Sequence, residues 1–227
     1  MTQPIFRSDM TVELMDHMGD DLTPVRAARL STGTQAGDNP ARDRGLLNAL
    51  MREGHHVPFE HQVVSFRIEA PIFVTRQILK HRISSISEAS GRYSEMDGVF
   101  YVPGPARPVK QVGKTMDYQF EQDDYLSDEA YDAITSSSRY AWGTYKDMLD
   151  DGIAKEVARM VLPVNLYSTL WITMNTRSLL NFFNLRSSEG EGHPQYEIVQ
   201  VADQMLAVWG GLFPETAGVH LRWKAGE

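Results

Sequence analysis

The chain has 227 residues, with 22 Lys and Arg against 30 Asp and Glu, so that its formal net charge is -8, and it contains no cysteine. This charge argues against a general nucleic-acid-binding protein, which usually presents a basic face. The lack of cysteine excludes disulfides, thiolate metal sites and a cysteine nucleophile. We therefore expect a single domain over residues 1–227, in which any anionic ligand is bound by a local cluster of positive charge.

The N-terminal sequence MTQPIFRSDM does not have the basic and then apolar pattern of a secretory signal. In addition, no apolar run approaches the roughly 20 residues that are needed to cross a bilayer. We expect a cytoplasmic protein with no membrane partner and no nucleic-acid partner.

The first half of the chain contains turn-forming and alternating segments. Residues 33–44 are rich in Gly, Asp and Pro and are typical of a loop. Residues 45–54 predict a short helix. Apolar and polar residues alternate over 61–69, which predicts a half-buried strand. Pro71 suits the first position of a helix, so the segment PIFVTRQILKHR predicts a helix that starts there.

The second half has longer periodic segments. Apolar residues at helical spacing predict a long helix that begins after Ser127 and ends at Gly152, and a short helix then stops before Pro163. Alternation over 165–174 predicts a second strand, and a helix follows over 177–185. Because strands lead directly into helices, we expect an α+β fold with a mixed sheet and long helices.

The strongly polar segment KHRISSISEASGRY, residues 80–93, follows the first apolar helix directly. Cations are favourable near the C-terminus of a helix, so Lys80, His81 and Arg82 have one structural explanation as partners of the helix dipole. The alternative interpretation is a binding site for an anion.

A second polar pattern lies on the predicted helix 177–185. There Arg177, Asn181 and Asn184 share one stripe, while the other sides of the helix are apolar. Asparagine is an indifferent helix former, so two of them on one stripe indicate that a ligand is hydrogen-bonded there. The alternative is a solvated face, although such faces usually favour Glu and Lys.

Together these segments resemble the flavin-dependent thymidylate synthases. The signature of that family is Arg-His-Arg, seven residues and then Ser, and this chain has Lys80-His81-Arg82, seven residues and Ser90. Other blocks resemble the family in the same order: HHVPFEH (55–61), APIFVTRQILKHR (70–82), VARMVLPVNLY (157–167) and NTRSLLNFFNLR (175–186). The resemblance is strongest over residues 25–210.

The resemblance implies a homotetramer whose active sites lie at subunit interfaces and hold FAD, dUMP and a reduced folate. It implies transfer of a methylene from methylenetetrahydrofolate to dUMP and reduction by hydride from reduced FAD, which NADPH regenerates. The products would be dTMP and tetrahydrofolate.

The resemblance also implies roles for individual residues. Arg186 would be catalytic, as a cation at the uracil edge that favours ionisation of ring nitrogen 3. FAD would be bound by Lys80, His81, Arg82, Glu88, Asn175, Arg177 and Asn181. The nucleotide dUMP would be bound by Gln77, Lys80, Glu88, Ser90, Gly91, Arg92, Arg159 and Arg186.

Some positions leave alternatives open. Ser90 is either a ligand of the nucleotide phosphate or a nucleophile that His81 would activate as a base, and we favour the first. The family has Arg at the position of Lys80, and lysine lacks the bidentate fork of arginine. A flavin- or nucleotide-binding protein without the transfer activity is therefore the second functional hypothesis.

The histidines around Glu60 do not predict a metal site. His55, His56 and His61 lack the paired spacing of known zinc sites. His55 and Glu60 instead match family positions near the flavin and the folate.

Overall fold

The computed structural model describes residues 3–114 and 117–225. These residues form two compact units. The first contains the described residues up to Met10 together with Glu69–Arg76 and Glu88–Thr169; the second contains Thr11–Ile68, Gln77–Ser87 and the residues from Leu170 onward. The single domain expected from the sequence stays a prediction. Within the described ranges, no helix has the length and apolar character to span a membrane.

The elements form a mixed α+β fold, as predicted. The strands are β1 (Ile5–Arg7), β2 (Thr11–Met18), β3 (Val63–Pro71), β4 (Ser85–Glu88), β5 (Val99–Tyr101), β6 (Lys110–Lys114), β7 (Asp117–Glu121) and β8 (Tyr167–Asn175). The helices are α1 (Thr23–Arg29), α2 (Pro40–Arg52), α3 (Ile72–Ile78), α4 (Asp124–Asp150), α5 (Lys155–Ala158), α6 (Thr176–Arg186), α7 (Tyr196–Leu212) and α8 (Pro214–Ala225). Short 3₁₀ helices cover Val57–His61 and Arg159–Val161.

The first unit is organised around the long helix α4. Strands β1 and β5 pair in parallel, and β6 and β7 form an antiparallel pair. The side chain of Asp123 caps α4, because its Oδ1 accepts a hydrogen bond from the backbone N–H of Leu126 at 3.2 Å. On the inner face of α4, Trp142 and Tyr145 pack with Phe100 in the core of this unit.

The second unit is built on a four-stranded sheet with the strand order β2-β3-β8-β4. The unit boundary falls inside β3, inside β8 and at the last residue of β4. The predicted alternation in β3 is confirmed, since Val64, Phe66 and Ile68 are fully buried. Strand β8 leads directly into α6, where Asn175 is the N-cap and its Oδ1 accepts from the N–H of Ser178 at 2.9 Å.

Trp209 in α7 connects three helices of the second unit. Its indole is fully buried, and its Nε1 donates a hydrogen bond to Oγ1 of Thr176, the first residue of α6, at 3.0 Å. The same ring packs against Phe183 of α6 and His220 of α8, with centroid distances of 5.6 and 6.3 Å. This contact set fixes which side of α6 is buried.

The N-terminus of α8 is capped by a residue from the opposite end of the chain. The carboxylate of Asp21 accepts hydrogen bonds from the backbone N–H groups of Glu215 and Thr216 at 3.1 and 2.9 Å, and from the hydroxyl of Thr216 at 2.9 Å. Gln62 also donates to that hydroxyl, at 3.3 Å. Because α8 follows Phe213 directly, this acceptor takes the place of an N-cap side chain.

Three predicted boundaries in the first half of the chain are wrong. The loop predicted over 33–44 ends earlier, because the side chain of Asn39 accepts from the N–H of Arg42 at 3.1 Å and α2 begins at Pro40. Pro71 is the last residue of β3 and does not begin a helix. Helix α3 ends at Ile78, so Lys80, His81 and Arg82 lie in the segment that follows it and are not its last turn.

The predicted boundaries in the second half also need correction. Helix α4 begins at Asp124, before the predicted start, since Asp123 supplies the cap, and it ends at Asp150. The short helix before Pro163 consists of α5 and a 3₁₀ turn. Strand β8 begins at Tyr167, two residues after the predicted start.

We predict that Asp21→Ala lowers the free energy of unfolding by about 1–2 kcal/mol, because three donors at the start of α8 lose their acceptor. Urea denaturation of the wild type and the variant measures this difference. Asp38→Ala is the control, since that carboxylate is exposed and has no hydrogen-bond partner within the described part of the chain. A loss in Asp21→Ala no larger than that of the control would show that the cap does not stabilise α8.

Candidate functional site

The second unit contains a cavity of about 810 Å³, a volume in the range of sites for cofactors and other small ligands. Its walls come from α2, the 3₁₀ helix after it, the segment after α3, the end of β8, and helices α6 and α8. The lining residues are Met51, His56, Glu60, Lys80, His81, Arg82, Ile83, Met174, Asn175, Arg177, Ser178, Leu180, Asn181, Asn184, Leu185, Arg186, His220 and Trp223.

The wall carries an excess of positive charge although the whole chain is acidic. Lys80, Arg82, Arg177 and Arg186 line the cavity, and Glu60 is the only carboxylate among the lining residues given above. The side chains of Lys80 and Arg82 have no hydrogen-bond or ion-pair partner in residues 3–114 and 117–225. Two unpaired cations on a concave wall favour an anionic ligand.

Helix α6 turns its polar stripe toward this cavity. Arg177, Asn181 and Asn184 all line it, while the opposite side of the helix is buried in the core. The stripe also contacts the 3₁₀ helix, because Nη1 of Arg177 lies 2.6 Å from Oε1 of Glu60. The hydrogen-bonding groups of the two asparagines therefore belong to the wall of a concave site and not to a flat solvated face.

His81 and Arg186 form one polar pair on the wall. Nε of Arg186 donates to Nε2 of His81 at 3.3 Å, and the imidazole packs edge-on against Phe182 with a centroid distance of 4.8 Å. Burial, and secondarily the charge of Arg186, lowers the pKa of His81 to about 4. At neutral pH the ring is uncharged, and because Nε2 accepts, the proton is on Nδ1.

Five of the residues predicted to bind dUMP lie in the first unit, and all of them except Glu88 lie on or beside a tight turn. The hydroxyl of Ser90 accepts from the N–H of Arg92 at 3.3 Å. A Cβ placed on Gly91 would lie 2.8 Å from Sδ of Met96 and 3.2 Å from Cδ of Arg159, so a larger residue would displace the methionine and crowd the arginine. The turn thus brings Ser90, Gly91, Arg92 and Arg159 together.

Arg92 is held on this turn by a carboxylate that the sequence analysis did not single out. Its Nε lies 3.0 Å from Oε2 of Glu156 in α5, and its guanidinium stacks over the ring of Tyr93 at 5.4 Å. Both side chains of the ion pair are about half exposed, so the pair orients Arg92 more than it stabilises the fold.

The remaining predicted site residues are placed as follows. Six of the seven residues predicted to bind FAD line the cavity together with Arg186: Lys80, His81, Arg82, Asn175, Arg177 and Asn181. The seventh, Glu88, is the last residue of β4 and is not among the lining residues. In the second unit, the Nε2 of Gln77 donates to Oε1 of Gln195 at 3.4 Å.

Several lining residues were missed from the sequence. His220 and Trp223 belong to α8, a segment for which no element was predicted. His56 was considered only as a metal ligand, and its Nε2 is buried without a hydrogen-bond partner in the described ranges. Nothing in the periodicity of these segments shows that they meet at one cavity, because their contacts join distant parts of the chain.

Comparison with known proteins identifies the family. Residues 13–215 match the family model described as "Thymidylate synthase complementing protein". The flavin-dependent thymidylate synthase of Tropheryma whipplei (strain TW08/27) is 45% identical, over 94% of this chain and 92% of that protein. The chain belongs to the flavin-dependent thymidylate synthase family. The flavin-dependent thymidylate synthase of Streptomyces avermitilis is 44% identical, again over 94% of this chain and 92% of the relative.

A solved structure confirms the fold of this family member. It is the crystal structure of the UMP/dUMP methylase PolB from Streptomyces cacaoi bound with 5-Br UMP. The TM-score is 0.90 and the sequence identity 39%, with 98% of each chain covered. The α+β fold and the family resemblance expected from the sequence are thereby confirmed.

The cavity fits a flavin cofactor of the kind that gives the family its name. FAD has a diphosphate between two planar ring systems. The unpaired Lys80 and Arg82 suit the diphosphate, and the amides of Asn175 and Asn181 suit the polar edge of a ring. Apolar and aromatic side chains supply the remaining wall. These residues could hold FAD.

We predict that the stability of the protein falls as the pH is lowered from about 6.5 to about 4, in part through His81. The pKa of His81 is lowered from 6.5 to about 4 in the folded state, so the unfolded state binds a proton that the folded state excludes. An NMR titration should give a midpoint near 4 for this imidazole.

The His81→Gln variant tests the same prediction through stability. It should lose less stability than the wild type between pH 6.5 and pH 5, because glutamine does not titrate. His61→Gln is the control, since His61 is exposed and outside the cavity lining. Equal pH dependence in the wild type and His81→Gln would refute the low pKa.

Proposed function

We propose that this protein catalyses the reductive methylation of dUMP to dTMP, with FAD as cofactor, methylenetetrahydrofolate as carbon donor and NADPH as the reductant of the flavin. The observation that carries the proposal is the single cavity lined by six residues that the family resemblance assigns to FAD, together with Arg186. The names of the relatives support it, since they are flavin-dependent thymidylate synthases and a UMP/dUMP methylase.

In this proposal the cations of the cavity bind the cofactor diphosphate. Arg82 and Arg177 offer planar forks that donate two parallel hydrogen bonds to a phosphate, whereas Lys80 offers a point charge. Arg177 is already paired with Glu60, and this contact holds its side chain against the cavity wall. When bound and reduced, the flavin would supply the hydride that converts the transferred methylene into a methyl group.

Arg186 is the catalytic residue of the proposal. His81 accepts from its Nε, and Nη1 and Nη2 have no partner in the described residues, so they are free to face a ligand. Because His81 is uncharged, it orients the guanidinium without repelling it. A fixed cation at the uracil edge stabilises the negative charge of an ionised ring nitrogen 3 and raises the electron density on carbon 5.

We assign the nucleotide to the residues that the family resemblance gives. Ser90, Gly91 and Arg92 form the turn described above, and the side chain of Arg159 packs beside Gly91. The exposed guanidinium of Arg159 has no ion-pair partner within the described ranges. The full proposed set for dUMP is Gln77, Lys80, Glu88, Ser90, Gly91, Arg92, Arg159 and Arg186. Glu88 is proposed to contact FAD as well. The homotetramer with active sites at its interfaces, and the cytoplasmic location, belong to the same proposal.

We predict that the anaerobically reduced flavoprotein regains its visible absorbance when dUMP and methylenetetrahydrofolate are both added, because only then does the hydride have an acceptor. Stopped-flow absorbance measures the reoxidation. The controls are dUMP added alone and methylenetetrahydrofolate added alone. UMP is also tested in place of dUMP, because PolB is a UMP/dUMP methylase.

A bound flavin that the two substrates together do not reoxidise would contradict the synthase proposal. It would favour the second hypothesis from the sequence, a flavin-binding protein that has lost the transfer. Identification of dTMP among the products would exclude that hypothesis.

We predict that Ser90→Ala keeps at least a few per cent of the wild-type rate of dTMP formation. The hydroxyl of Ser90 accepts from the N–H of Arg92, and Nε2 of His81 is occupied by Arg186, so no base for a nucleophilic serine is prepared. Ser94→Ala in the same turn is the control. Complete loss of the rate in Ser90→Ala, with dUMP still bound, would establish Ser90 as a nucleophile.

A further inference from the structure

One wall of the cavity comes from residues outside the region that defines the family. The family model ends at residue 215, and α8 covers Pro214–Ala225. Two side chains of α8, His220 and Trp223, line the cavity. No family resemblance therefore assigns a role to this wall, and its chemistry has to be deduced from the side chains themselves.

The aromatic side chains of this wall form a connected series. The buried ring of Trp209 meets His220 edge-on, with a centroid distance of 6.3 Å and an interplanar angle of 87°. His220 in turn lies beside Trp223 at 6.4 Å, with an angle of 31°. His220 is 4% exposed and Trp223 47%, so the series leads from the core to an open indole at the cavity.

The backbone that carries Trp223 is anchored at its other end. Asp21 accepts three hydrogen bonds at the start of α8, and Trp209 packs on its first two turns through His220. An indole on an anchored helix loses little conformational entropy when a flat ligand covers it. This arrangement is suited to stacking more than to hydrogen bonding.

The chemistry of the two walls is complementary. Lys80 and Arg82 offer unpaired positive charge, and Trp223 with His220 offers aromatic surface in the same cavity. A ligand that uses both must join an anionic group to a planar heteroaromatic ring, as FAD does. Aromatic side chains favour offset-stacked or edge-on contact with such rings.

We propose that Trp223 is a stacking platform for one of the two planar ring systems of FAD, and that α8 thereby contributes to cofactor affinity. The proposal rests on the proposed function, because it takes FAD as the occupant of the cavity. It goes beyond that function by adding a binding residue from the segment that follows the family region.

The test is the affinity of the purified full-length chain for FAD, measured by isothermal titration calorimetry. Loss of base stacking on an aromatic side chain by alanine substitution weakens binding by about 5- to 150-fold. We expect Trp223→Ala to weaken FAD binding about tenfold or more, which corresponds to about 1.4 kcal/mol. Trp223→Phe keeps an aromatic face and should remain within about threefold of the wild type.

Leu221→Ala is the matched control. Leu221 lies on the same helix and is 45% exposed, close to the 47% of Trp223, but it does not line the cavity. The affinity of the Leu221→Ala variant for FAD should equal that of the wild type. Circular dichroism melting shows whether each variant is folded, and if Trp223→Ala does not fold, Trp223→Leu takes its place, because it keeps apolar bulk and removes the aromatic face.

Fragments of the cofactor identify the ring. A loss in Trp223→Ala that is confined to FMN places the isoalloxazine on Trp223, and one confined to ADP places the adenine there. Unchanged FAD affinity in folded Trp223→Ala overturns the platform and leaves the proposed function standing; Trp223 would then be available for contact with another protein. Absence of FAD binding by the wild type would refute the proposed function and the platform with it.

Discussion

The buried indole of Trp209 is the contact on which the candidate site depends. It donates a hydrogen bond to Thr176 at the start of α6 and packs against Phe183, about two turns further along the same helix. These two contacts fix the rotation of α6 about its axis. Because that rotation is fixed, the polar stripe with Arg177 and Asn181 faces the cavity and the phenylalanines face the core. Through His220, the same indole also sets the position of the α8 wall. Two walls of one site are thus held by a single side chain.

The electrostatics of the site follow from local pairing and not from the overall composition. A chain with a net charge of -8 binds an anion only where its cations are not neutralised by its own carboxylates. In the cavity, Arg177 is paired with Glu60, while Lys80 and Arg82 are unpaired within the described ranges. Beside them, a neutral His81 orients Arg186 without adding charge. The site therefore combines two unpaired cations, Lys80 and Arg82, with two cations, Arg177 and Arg186, that contacts within the protein hold in place.

The parts of the fold that follow local rules could be predicted from the sequence. The alternation in β3 and the two-sided pattern of α6 are local, and the structure confirms both elements. Two of the boundary errors occurred where a single capping side chain decides the start of a helix, namely Asn39 before α2 and Asp123 before α4. A cap of this kind contributes about 1 kcal/mol, which is enough to move a helix start by several residues but leaves little trace in periodicity.

The residues of the candidate site also fall into two groups, those that local sequence patterns predict and those that they do not. Motif spacing was sufficient to select the residues after α3 and on α6, because each group is contiguous in sequence. It could not select His56 or Trp223, which reach the cavity only through tertiary packing. Asp21 caps α8 although it lies 194 and 195 residues away in sequence from the two N–H groups that it accepts from. No short segment of the sequence therefore contains both the cap and the start of the helix.

The anchoring of α8 has a consequence for how family members diverge. The helix is held by its first turn and by His220, so its outward residues are under little constraint from the rest of the core. Side chains at the position of Trp223 can therefore change during evolution without disturbing the sheet or α6. An inhibitor that occupies only the cationic wall makes no use of α8, whereas one extended onto α8 would gain selectivity for proteins that carry an aromatic residue there.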